Sequence, residues 1–70
     1  MTISVLLVIP NLQIGGAEVT VVNLANSLSR VPGVKVYLLE AYISRNPNLV
    51  QTISPEVIIA SYEPGFLIRI

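Results

Sequence analysis

Apolar residues fall in runs whose spacing changes along the chain. Residues 3–9 (ISVLLVI) are almost continuously apolar and rich in Val, Ile and Leu. That run predicts a strand covered on both faces, as at the centre of a parallel sheet. Pro10 cannot donate to a sheet ladder, so the strand is expected to stop there. Residues 11–16 then read as a loop in which Gly15 and Gly16 free the backbone. From Ala17 the period lengthens. Ala17, Val21, Leu24, Ala25 and Leu28 recur at helical spacing, with Thr20, Asn23, Ser27 and Arg30 on the opposite side. Glu18 in the first turn and Arg30 at the last suit the helix dipole. Residues 18–22 (EVTVV) alone alternate like a strand, but the longer pattern and the Pro32-Gly33 stop decide for a helix.

Residues 34–39 form a second strand candidate, interrupted by Lys35 and ending at Glu40. Asn46 followed by Pro47 reads as an N-cap and first-turn proline, opening a short helix with Leu49, Val50 and Ile53 inward and Pro55 as its breaker. Residues 57–60 predict a third apolar strand, residues 61–65 (SYEPG) a turn-rich loop, and residues 66–70 the start of another apolar element. This β-α-β-α-β order is an α/β pattern, a partial Rossmann-like doubly wound parallel sheet with right-handed crossovers expected. Its strands are too few for a complete domain of that type.

Composition narrows the chemistry. The 70 residues carry four Lys+Arg against four Asp+Glu, with no His, Cys or Trp. Disulfides, thiolate nucleophiles and imidazole acid–base groups are excluded, and no metal site or cofactor is expected. A net charge of zero without a basic cluster argues against nucleic acid as a partner. The apolar runs fall well short of the ~20 residues that span a bilayer, so no transmembrane segment is expected. Only Met1 and Thr2 precede the first run, where a secretory signal would want Lys or Arg, so a buried strand and a cytoplasmic location are the readings.

Candidate chemistry concentrates in residues 10–18 (PNLQIGGAE). In open α/β sheets, ligands bind outside the carboxyl ends of the strands. A glycine pair at a helix N-terminus exposes backbone N–H groups to an anion such as a diphosphate. The dinucleotide fingerprint needs three spaced glycines and the phosphate loop needs a Gly-Lys-Ser/Thr ending, and neither is present. Two explanations stand side by side: a phosphate or sugar cradle, and a tight turn that needs glycine for its dihedral angles.

The apolar strand ending Val8-Ile9-Pro10, then Gly15-Gly16-Ala17-Glu18 opening a helix that continues Asn23-Leu24-Ala25 to Leu28, resembles the start of the family 4 (group 1) retaining glycosyltransferases. Residues 55–58 (PEVI) resemble that family's start of a later strand, and the restart at Phe66 also fits. The resemblance implies residues 1–70 as the first part of the N-terminal domain of a two-domain GT-B fold, with the C-terminal nucleotide-sugar-binding domain absent. It implies hexosyl transfer from a nucleotide-sugar donor to a glycan or lipid-linked acceptor, by an enzyme working in the cytoplasm and touching the inner face of the membrane peripherally where the acceptor is a lipid. It implies Gly15 and Gly16 as the residues that approach the donor diphosphate and the acceptor. Glu18, Ser61 and Tyr62 then stand at the cleft, and no residue is assigned a catalytic role. A cleft between two domains needs both, so these 70 residues alone are expected to be inactive; with unpaired sheet edges and little charge they are also expected to be poorly soluble. The alternative is a small non-catalytic Rossmann-type module that binds a nucleotide or phosphate. A further one is a small protein that buries its apolar faces in an oligomer or against a membrane.

Overall fold

The computed structural model describes residues 2–13, 15–41, 44–63 and 67–69, with the backbone alone for 62–63 and 67–69. Six elements follow in chain order: β1 (Ile3–Ile9), α1 (Gly16–Ser29), β2 (Val34–Glu40), α2 (Pro47–Val50), β3 (Ile58–Glu63) and β4 (Leu67–Arg69). One sheet contains all the strands in the order β1-β2-β3-β4. The first three are parallel, and β4 joins β3 antiparallel. The expected α/β class therefore holds, with three parallel strands and two helices in a unit compatible with part of a Rossmann-like fold.

β1 matches its expected span and ends before Pro10, where Ala41 N–H donates to Ile9 C=O at 2.9 Å. Its expected central place is corrected, because β1 is an edge strand and only one of its faces is covered. Strand residues alternate between faces. Leu7 and Ile9 point to the core, while Leu6 and Val8 stay 56% and 61% exposed. Register carries that outer face across the sheet, lining Leu6 up with Tyr37 and Ile58, and Val8 with Leu39 and Ala60. Strand order runs one way, so the reversal that defines a doubly wound sheet does not occur among the described residues.

Helix α1 resolves the local conflict at residues 18–22 in favour of helix, because Val22 and Ala25 are buried against the sheet. The inward face differs from the expected one: Ala17 is exposed and Leu24 is 47% exposed, with Val22 in their place. The apolar set supports two overlapping stripes that share Val21, Ala25 and Leu28. Packing on Val36 and Leu38 of β2 selects the one containing Val22. The helix ends at Ser29, with Arg30 as its C-cap rather than in its last turn. Gly33 then adopts φ 81°, a left-handed conformation that favours glycine, and leads into β2.

β2 alternates cleanly, burying Val36, Leu38 and Glu40 on the core side. A fully buried Leu such as Leu38 contributes roughly 1.5–3 kcal/mol over an exposed one. Asn46 caps α2 as expected, its Oδ1 accepting from Asn48 N–H at 2.9 Å, and Pro47 opens the helix. Leu49 is buried, and Val50 and Ile53 pack against the same core. α2 ends at Val50, so Pro55 is not what stops it; Thr52 Oγ donates to Leu49 C=O at 2.7 Å in the turn that follows. Asn26 of α1 holds that turn, donating to Thr52 C=O at 2.7 Å and accepting from Ser54 N–H at 2.7 Å.

The third strand is longer than expected and starts one residue later. Residues 61–63, expected in a loop, continue β3 because β2 pairs with Ser61 on one side and β4 with Ser61 to Glu63 on the other. Pairing on both edges outweighs the turn preference of residues 61–65. Pro64, Gly65 and Phe66 lie outside the described residues.

Candidate functional site at the carboxyl ends of the strands

β1, β2 and β3 end on one rim of the sheet, where the loop after β1 meets the loop after β2. Leu12 and Arg45 form a parallel bridge, with Leu12 N–H donating to Ser44 C=O at 2.9 Å and Asn46 N–H to Leu12 C=O at 2.8 Å. Leu12 is buried as a plug beneath this junction. Asn11 Oδ1 accepts from Gln13 N–H at 3.0 Å, an Asx turn that bends the chain, and Gln13 Nε2 donates to Ser44 Oγ at 2.8 Å. The two loops are thus fastened together before the chain reaches Gly15.

Gly15 is the N-cap of α1 with φ −156° and ψ 164°, extended backbone that any residue adopts, and Gly16 is the first helical residue. Dihedral angle therefore requires glycine at neither position. No side chain caps α1, so its first N–H groups are left without partners inside the helix. A Cβ on Gly15 would collide with the Glu18 carboxylate, which folds back from the first turn; a Cβ on Gly16 would meet open space. Glu18 is half-buried there, and its charge complements the positive end of the helix.

Ser61, expected in a loop at the cleft, lies in β3 and is buried, donating from Oγ to Glu40 Oε1 at 2.7 Å. Tyr62 follows it in β3, and its side chain lies outside the described residues. The structure thus groups Gly15, Gly16 and Glu18 at the helix N-terminus and places Ser61 in a separate cluster beneath the rim.

That cluster is what the sequence reading missed. Glu40, at 0% exposure, accepts from Arg45 Nε at 2.9 Å through Oε1 and 3.2 Å through Oε2, and Arg45 Nη2 also donates to Oε1. Arg45 Nη2 lies 3.4 Å from Ser61 Oγ. Hydrogen bonding to Glu40 is the chief cause that raises the Arg45 pKa above its ordinary value, with burial opposing it and the Glu40 charge assisting. The available signal was the phase of β2, since Glu40 continues the inward series of Val36 and Leu38.

Among the described residues the rim encloses no cavity, and no group of three His, Cys, Asp or Glu could hold a metal ion. None of their helices is long and apolar enough to cross a membrane. Comparison with protein-family models, with curated proteins and with solved structures gives no match.

Proposed function

We propose that residues 1–70 are the first part of the N-terminal domain of a family 4 (group 1) retaining glycosyltransferase with the GT-B fold. The intact protein transfers a hexosyl group from a nucleotide-sugar donor to a glycan or lipid-linked acceptor. It works in the cytoplasm, peripherally at the inner membrane face when the acceptor is a lipid. The observation that supports this reading is the pair Gly15-Gly16 at the uncapped start of α1, on the carboxyl rim of the parallel strands. Backbone angle does not call for glycine at either residue, and open space lies over Gly16. The Glu18 carboxylate accounts for glycine at Gly15; what remains for the missing side chain of Gly16 is access, with a diphosphate or sugar approaching the backbone N–H groups closely. The Glu18 carboxylate folds back over Gly15 at the helix start, and Ser61 serves the rim through Glu40. The open outer face at β1 and the doubly wound arrangement would be completed by residues of the intact protein.

The test starts from the native product, captured with an antibody to residues 1–30. Its mass is expected to be several times the 7.6 kDa of these residues, and a panel of nucleotide-sugars should include one whose sugar it transfers. Gly16→Ala should leave Tm little changed, since its Cβ meets no atom within 4 Å, and Gly16→Leu should lower kcat/KM by at least about tenfold, since a bulky group obstructs ligand approach. A product of 7.6 kDa that turns over no nucleotide-sugar would sink the proposal. Calorimetric titration of that same product with nucleotides would then decide for or against the non-catalytic binding module.

A further inference from the structure

Glu40, Arg45 and Ser61 form a polar cluster to which the reading above gives no contact with a ligand. Stability is a weak reason for it. Burying an ion pair costs desolvation that its attraction barely offsets, and apolar side chains of similar volume often do as well or better. The chain has only four acidic residues, yet Glu40 takes a core position of β2 and is fully buried. What the cluster achieves is geometric. Glu40 accepts along the Nε–Nη2 edge of the guanidinium, while Ser61 Oγ donates to Oε1 and fixes the carboxylate. Arg45 is thereby held in one orientation with its side chain 40% exposed, and among the described residues its Nη1 donates to none. The bridge to Leu12 sets this arginine on the rim beside the loop that leads to Gly15 and Gly16.

We propose that Arg45 is an anion-binding residue of this rim, taking a phosphate or diphosphate oxygen on the end of the guanidinium that Glu40 leaves free, with Glu40 and Ser61 as its positioning residues. A guanidinium fork pre-oriented by one carboxylate can engage a second oxyanion through its remaining donors, and its planar geometry matches phosphate. The proposal rests on the reading above only in taking the carboxyl rim as the ligand side.

The experiment is an NMR titration of the full chain with inorganic pyrophosphate, following the Arg45 Nε–Hε signal and the Gly15 and Gly16 amides. A saturable shift at Arg45 is expected. The double variant Glu40→Gln with Arg45→Gln, which keeps neutral hydrogen-bonding groups in place, should bind at least about tenfold more weakly. If Arg45 stays unmoved throughout, or the folded double variant binds as tightly as the parent, the inference is overturned. Shifts at Gly15 and Gly16 without one at Arg45 overturn it while leaving the glycine reading intact; the reverse pattern supports it and removes the glycine cradle. Wild-type shifts decide the matter even if the double variant does not fold. Parallel titrations with uridine diphosphate and a sugar 1-phosphate, compared for affinity at Arg45, separate a nucleotide from a phosphorylated acceptor as the source of the phosphate.

Discussion

Glu40 shows how one position can be polar by type and buried by phase. It follows Val36 and Leu38 on the inward side of β2, and its carboxylate is satisfied there only because Arg45 and Ser61 reach it. Removing Arg45 leaves a buried charge without its main partner. Arg45→Met should therefore destabilise the fold by about 2–4 kcal/mol, a range discounted for the exposure of the arginine. The combined variant Glu40→Leu with Arg45→Met should return to within about 1 kcal/mol of the parent, because the charge is gone as well. Urea unfolding of the single and double variants checks this, and additive losses would refute the coupling. The pH dependence follows from sign. Arg45 has a raised pKa, so the stability its charge contributes is fully present below the ordinary arginine value and is lost only as pH rises through the raised one. Through the neutral and moderately alkaline range this contribution should stay flat.

At the scale of elements, α1 gives the sharpest discrimination. Its apolar residues allow two inward faces, and contact with β2 selects the one with Val22 buried and Leu24 outside. Val22→Ala should cost about 2 kcal/mol through lost burial and a residual cavity. Leu24→Ala should fall within about 0.5 kcal/mol of neutral, because that side chain faces outward. Thermal unfolding of the two variants checks the order, and equal losses would rotate the helix back to the face containing Ala17 and Leu24. The same scale explains the ends of elements. Asn46 and Pro47 start α2 by local capping chemistry, whereas β3 runs through Ser61 to Glu63 because strands pair on both of its edges.

At the scale of the molecule, one sheet face is covered by α1 and Leu49 of α2, while the other presents Leu6 and Val8 on an edge strand. Parallel sheets normally have both faces covered. An open edge beside exposed apolar side chains is a template for association. Residues 1–70 on their own should therefore self-associate with rising concentration. Leu6→Lys with Val8→Lys should shift it toward monomer with little loss of stability, since both side chains are already more than half exposed. Sedimentation velocity over a concentration series measures this, and an unchanged distribution in the variant would place the contact elsewhere.

Local rules were enough for the order of the first five elements, the span of β1, the Asn46 cap and the stop of α1 before Gly33. Each follows from apolar period, proline or glycine within a few neighbouring residues. The glycine pair could be located at the start of α1 in the same way, although its reason could not be, since φ at Gly15 and the space over Gly16 depend on where Glu18 and the helix lie. Which face α1 buries, where β3 ends, that β1 lies at an edge and that Glu40, Arg45 and Ser61 meet were decided by tertiary structure. Those outcomes depend on pairing and packing between residues distant in the chain, such as Glu40 with Ser61 in β3. No spacing within a single segment carries that information.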